Sequence, residues 1–168
     1  MEMPAAQHAP TADEGLTPIE ARYIWVMRAS MASSALFTTA IIAAVDIFLM
    51  PELNLPQGYA TAAIALLWLA LFFILPSRRV ASIRYHMADD HIRIRRGFLF
   101  TVDTIVPFVR VQHLDVSQGL IERTLGLSSL TVHTSGVLNQ AVTLVGLETA
   151  LAHAMRETIH RQILTDFA

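Results

Sequence analysis

GYATAAIALLWLALFFIL, residues 58–75, contains no charged side chain and decides the architecture of the chain. At ~1.5 Å per residue a helix of this length reaches roughly 27 Å, close to the ~30 Å hydrocarbon core of a bilayer. A buried helix in a soluble domain is the competing reading. It requires a large apolar shell, which the rest of a 168-residue chain does not supply.

Immediately upstream, ASMASSALFTTAIIAAVDIFLM (residues 29–50) is a second apolar run, richer in Ser and Thr and interrupted by Asp46. The polar link Pro51 to Gln57 is short, so the two runs read as a helical hairpin, with Ser30, Ser34, Ala40 and Ala44 small enough for close packing of its arms. Asp46 is either an intramembrane functional acid or an interfacial residue about one turn from Pro51 that reaches water or headgroups. The second reading is preferred. No cleavable leader is expected, because Met1 to Gly15 is polar and acidic; residues 1–15 read as a disordered tail. Thr17-Pro18-Ile19-Glu20 reads as a helix start, with an N-cap, Pro at N1 and a capping-box Glu.

Charge sets the orientation. Every basic residue is Arg: two lie in residues 1–75 against six acids, and ten lie in residues 76–168 against eight. Arg22 and Arg28 precede the first span, Arg78 and Arg79 follow the second, and the link carries only Glu52, so the positive-inside rule places both termini in the cytoplasm. The modest basic excess of the second half lacks the concentration of a nucleic-acid surface. With no cysteine, disulfides and thiolate metal sites are excluded.

Beyond Arg79 the pattern shifts to short segments rich in Val, Ile, Phe and Thr between turn signals. Strands are expected near 80–88, 91–96, 98–106, 109–117, 128–135 and 141–147. The tail then shows Leu147, Leu151, Met155, Ile159 and Ile163 beside Ala150 and Ala154, the stripe of an amphipathic helix that covers a sheet. The fold class is therefore α+β: a transmembrane anchor (residues 16–79, spans about 29–50 and 58–75), then an antiparallel β-barrel or sandwich closed by a C-terminal amphipathic helix (residues 80–168).

Two spans followed by Arg96-Gly97, Val106-Pro107, Arg110-Val111, Gln118-Gly119, Glu122-Arg123 and Leu125-Gly126-Leu127, in that order, resemble the bacterial pleckstrin-homology-like (YdbS-type) membrane protein family over roughly residues 16–165. The resemblance implies a PH-like fold at the inner face of a bacterial cytoplasmic membrane. It implies no catalytic residues and no cofactor.

Several candidate sites arise from the residues themselves. Arg84 with Arg93-x-Arg95 superficially matches a phosphoinositide signature, although the turn between them, Asp89-Asp90, is short and acidic. More broadly, Arg78, Arg79, Arg84, Arg93, Arg95 and Arg96 form a juxtamembrane basic set for anionic lipid, each worth about 1 kcal/mol at the leaflet surface. Gln118, Gly119, Glu122 and Arg123 form a loop that either closes the domain or meets a partner. His113, Asp115 and Ser117 imitate a hydrolase triad, but alternate residues of one strand lie ~6.8 Å apart and no nucleophile elbow surrounds Ser117. His86 and His91 flank a turn, and His153 and His160 are too far apart on a helix to share an ion, so no metal site is expected. The expected role is a non-enzymatic scaffold or assembly module with a protein partner or a second copy; anionic-lipid sensing is the alternative, and a membrane-associated hydrolase comes third.

Overall fold

The structure, a computed structural model, describes residues 15–48, 50, 58–135 and 141–166. The tail expected over 1–15, apart from Gly15, and the link 51–57 lie outside them.

Helices α1 (Tyr23–Phe48) and α2 (Tyr59–Ala81) pack as a hairpin and are each long and apolar enough to cross a bilayer. Polar groups join their apolar faces. Trp68 Nε1–H donates to Thr38 Oγ1 at 2.8 Å, and Asp46 Oδ2 accepts from the Thr61 amide at 2.9 Å and the Thr61 hydroxyl at 2.5 Å. Asp46 is buried against α2, and its carboxylate is engaged by Thr61. Its carboxylate satisfies the first turn of α2, where orphan amide donors and the positive end of the helix dipole favour an anion.

The rest of the chain forms two antiparallel sheets. Strands β1 (Thr17–Pro18), β2 (Arg84–Met87), β3 (His91–Arg96) and β4 (Val102–Pro107) make the first, in that order. A single 3-10 turn, Phe108–Arg110, leads to the second: β5 (Val111–Ser117), β6 (Leu127–Thr134) and β7 (Ala141–Glu148). A short helix α3 (Leu120–Leu125) lies between β5 and β6, and α4 (Thr149–Asp166) follows β7. The arrangement is an open sandwich and not a closed barrel, because the two sheets remain separate ladders.

The core lies between the sheets and under α4. Ile92 and Ile94, alternating with Arg93 and Arg95 on β3, meet Val106, Phe108, Leu130, Val132, Leu144 and Leu147. From α4 come Ala152, Met155 and Ile159, with Ile163 at the margin. The expected every-fourth stripe is thus displaced: Leu151 and Ala154 are exposed and Leu147 belongs to β7, since a helix turns every 3.6 residues and a strict period of four drifts off its face.

Other sequence expectations shift for physical reasons. Residues 80 and 81 complete α2 instead of opening a strand, so Arg78 and Arg79 occupy its last turn, where cations suit the dipole. The strand expected from residue 98 starts at Val102, because Gly97 at φ +126° turns the chain away from the ladder. Thr17-Pro18 does not start a helix: it pairs with Tyr85 and Arg84 of β2, while Leu16 and Ile19 on either side are buried. Apolar burial outweighs the capping pattern. Ile19, numbered with the anchor by sequence, therefore sits in the core of the β domain.

Candidate functional site

The six arginines of the basic set fall into two groups. The outer face of the first sheet holds Arg84 opposite Arg95, and Arg93 opposite His86. Here Arg93 is engaged by Asp103 of β4: its Nε lies 3.0 Å from Oδ1 and its Nη2 2.5 Å from Oδ2, a two-pronged guanidinium–carboxylate pair. Arg93 of the Arg-x-Arg motif thus makes a cross-strand ion pair within the domain. The bonds from Arg93 hold the Asp103 carboxyl below its ordinary range, against partial desolvation, with help from the nearby charges of Arg93 and Arg95. A depressed carboxylate stabilises the fold above its unfolded value near pH 4 and loses that contribution as pH falls through the folded value. Asp103→Asn is therefore expected to lower the unfolding midpoint at pH 7 and to flatten the acid limb of the stability–pH profile, so that variant and wild type converge below about pH 4 as the wild-type carboxyl takes up its proton.

Arg78, Arg79 and Arg96 form the second group, at the membrane-proximal end. The guanidinium of Arg78 sits 5.4 Å from the centroid of the Phe98 ring. Arg79 and Arg96 border a cleft of about 450 Å³ whose apolar wall includes Tyr23, Met27, Ile83 and Val145. Its other wall is the β3–β4 tip, Gly97 to Phe100, where Phe98, Leu99 and Phe100 are 45, 82 and 85% exposed. A second groove of about 500 Å³ runs between the two apolar helices past Met31, Trp68 and Leu75, and shares Tyr23, Met27 and Arg79 with the first. Sequence reading placed these three apolar residues in a strand; the signal available was a run of bulky side chains directly after the turn-forming Gly97.

The loop after β5 has an inward role. Gln118 Nε2 donates to the Leu127 carbonyl at 2.7 Å and to Thr149 Oγ1 at 3.0 Å, tying the loop to β6 and α4. Buried Glu122 reaches back to the Gly119 amide at 2.8 Å and accepts from the Ser129 hydroxyl at 2.8 Å. Gly119 precedes the first turn of α3, and Arg123 is exposed. Within the apparent triad, His113 and Asp115 approach each other, whereas Ser117 lies opposite Ser129, two positions further along the ladder. The third member the fold supplies is His133, which sequence spacing does not reveal. His86 and His91 do not face each other: His86 Nδ1 lies 2.9 Å from the Gly15 carbonyl and His91 Nδ1 2.6 Å from Asp90 Oδ1.

Two apolar helices carrying a PH-like sandwich, with cations and exposed aromatics gathered where the two meet, define a membrane-associated PH-like protein. The profile of the family described as "Bacterial PH domain" matches residues 36–163, and the chain belongs to that family. It is also similar to the UPF0699 transmembrane protein YdbS of Bacillus subtilis (strain 168), with 33% identity over 89 residues, 53% of this chain and 54% of that one. The match thus spans about half the length of this curated relative. It places the chain in a YdbS-type family of bacterial PH-like membrane proteins. No solved structure matches significantly.

Proposed function

We propose that this chain is a non-enzymatic module of the bacterial cytoplasmic membrane, with both termini cytoplasmic, whose PH-like domain docks on the anionic leaflet beside its own anchor. The carrying observation is the exposed Phe98-Leu99-Phe100 tip, which stands next to Arg78, Arg79 and Arg96 at the ends of the apolar helices. Fully burying a Leu or Phe side chain gains about 1.5–3 kcal/mol, against about 1 kcal/mol for each Arg at an anionic surface. The tip therefore drives docking and the arginines select the lipid. A phospholipid would lie across these two neighbouring grooves, with its headgroup at Arg79 and Arg96 and an acyl chain along the groove past Trp68. Assembly with a protein partner has less support, because Gln118 and Glu122 are turned into the fold.

The absence of cysteine gives a direct test. A nitroxide on Leu99→Cys, in the full chain in nanodiscs, is expected to be relaxed more by oxygen than by water-soluble chromium oxalate. Arg79→Gln with Arg96→Gln is expected to reduce the preference for phosphatidylglycerol over phosphatidylcholine by roughly tenfold or more. A label that meets chromium oxalate as freely as one on exposed Arg123→Cys refutes docking.

A further inference from the structure

The outer face of the second sheet carries a group unrelated to the lipid-facing tip. The ladder sets His113 of β5 directly opposite His133 of β6, with Asp115 following on the same face, opposite Thr131. The two imidazoles stack with centroids 4.0 Å apart and planes inclined by 15°. Both direct Nε2 toward one oxygen: Asp115 Oδ2 lies 3.1 Å from His133 and 3.7 Å from His113.

We propose that His113, Asp115 and His133 form a binding site for a divalent transition-metal ion of the zinc class. One ligand atom from each residue falls within a group whose members all lie within 4.8 Å of one another. Metal–ligand distances of ~2.0–2.1 Å place tetrahedral ligands ~3.3 Å apart, so binding requires a closure of about 1.5 Å at most. Side-chain rotation provides it, since His113 and Asp115 are each 61% exposed and His133 32%. The backbone is already fixed. The intervening pair, Leu114 with Val132, faces the core, and Thr131 is bonded to Thr143 on the next strand at 3.0 Å.

Two imidazoles and one carboxylate suit zinc, copper or nickel, and they disfavour magnesium and calcium, which prefer oxygen ligands. A shared cation fits the geometry of the cluster: both imidazoles turn Nε2 toward the same carboxylate oxygen, and an ion at their convergence takes a lone pair from all three. Three protein ligands leave at least one position open to water or to a donor from another molecule.

Cobalt(II) serves as the probe, titrated into the full chain in nanodiscs of phosphatidylcholine and followed by visible absorption. The expected result is one cobalt per chain, displaced by zinc and unaffected by excess magnesium. His113→Gln and His133→Gln should each weaken binding at least tenfold, while His153→Gln, on the exposed face of α4, leaves it unchanged. Asp115→Asn, nearly isosteric, should weaken it as well and covers the case in which a histidine variant fails to fold. Equal cobalt affinity in wild type and in folded His113→Gln, His133→Gln or Asp115→Asn overturns the proposal, as does the absence of saturable binding to the wild type.

Discussion

Glu122→Ala is expected to lower the stability of the β domain by about 3 kcal/mol, the upper range for hydrogen bonds to a charged acceptor. The residue is buried, and its two oxygens serve different elements: Oε2 accepts from the Gly119 amide that opens α3, and Oε1 accepts from Ser129 on β6. Truncation leaves an amide and a hydroxyl without that acceptor inside the domain. The loss extends beyond two bonds because α3 is only six residues long, too short to persist without its anchors. Thermal unfolding of the full chain in detergent should show a midpoint lower by roughly 10–20 °C. Glu122→Gln keeps one carbonyl oxygen and should lose about half as much, while Ser129→Ala, which removes one donor and leaves the carboxylate on Gly119, should cost least. A fall of less than about 1 kcal/mol in Glu122→Ala would show that the loop is held by its other anchors, Gln118 and the Arg22 and Thr149 bonds to the Leu125 and Gly126 carbonyls.

That residue also shows how far the sequence can be read. Gln118-Gly119 and Glu122-Arg123 identify the family resemblance, yet spacing alone does not distinguish a loop that presents a carboxylate from one that buries it. The distinction depends on Ser129 being brought seven residues back against Glu122 by the β5–β6 pairing. Features governed by local period were legible in kind: two apolar helices and a C-terminal helix form, and β3 spans residues 91–96 as expected, although α1 begins earlier, at Tyr23, and the stripe on the last helix is displaced. Features governed by register were not. The pairing of Arg93 with Asp103 follows only from the β3–β4 ladder, and His113 meets His133 only through the β5–β6 ladder. Short elements escaped for a related reason, since neither two residues at Thr17–Pro18 nor six at Leu120–Leu125 contain a full pattern. The Phe98-Leu99-Phe100 tip was hidden by its composition, because β-branched and aromatic residues mark strands even where a turn exposes them.

Gly146→Ala is expected to cost about 2–5 kcal/mol, in two separable parts. Gly146 is buried within β7 at φ +69°, where the register with β6 shifts between Ser128 and Leu130, so the extra residue of a bulge occupies the left-handed region. An alanine there incurs about 1–2 kcal/mol of backbone strain. Its Cβ would also stand 2.9 Å from Tyr23 Cγ, 3.0 Å from Tyr23 Cβ and 3.0 Å from Ile19 Cδ1, tighter than side chains tolerate without displacement, which adds about 1–3 kcal/mol of overpacking. The second part is informative about function. The Glu20 amide donates to the Gly146 carbonyl at 2.9 Å, so the bulge seats the segment that leads into α1 directly on the sheet. Through that seat the β domain is fixed to the anchor at its first residues as well as through α2, which restricts its tilt relative to the two helices. In a Tyr23→Ala background the cost of Gly146→Ala should fall toward the strain alone, about 1–2 kcal/mol, measured as a double-mutant cycle on thermal unfolding. An unchanged cost would place the clash on Ile19 instead. If the seat sets the height of the domain, Gly146→Ala should also move the nitroxide at position 99 toward chromium oxalate without altering any residue of the tip.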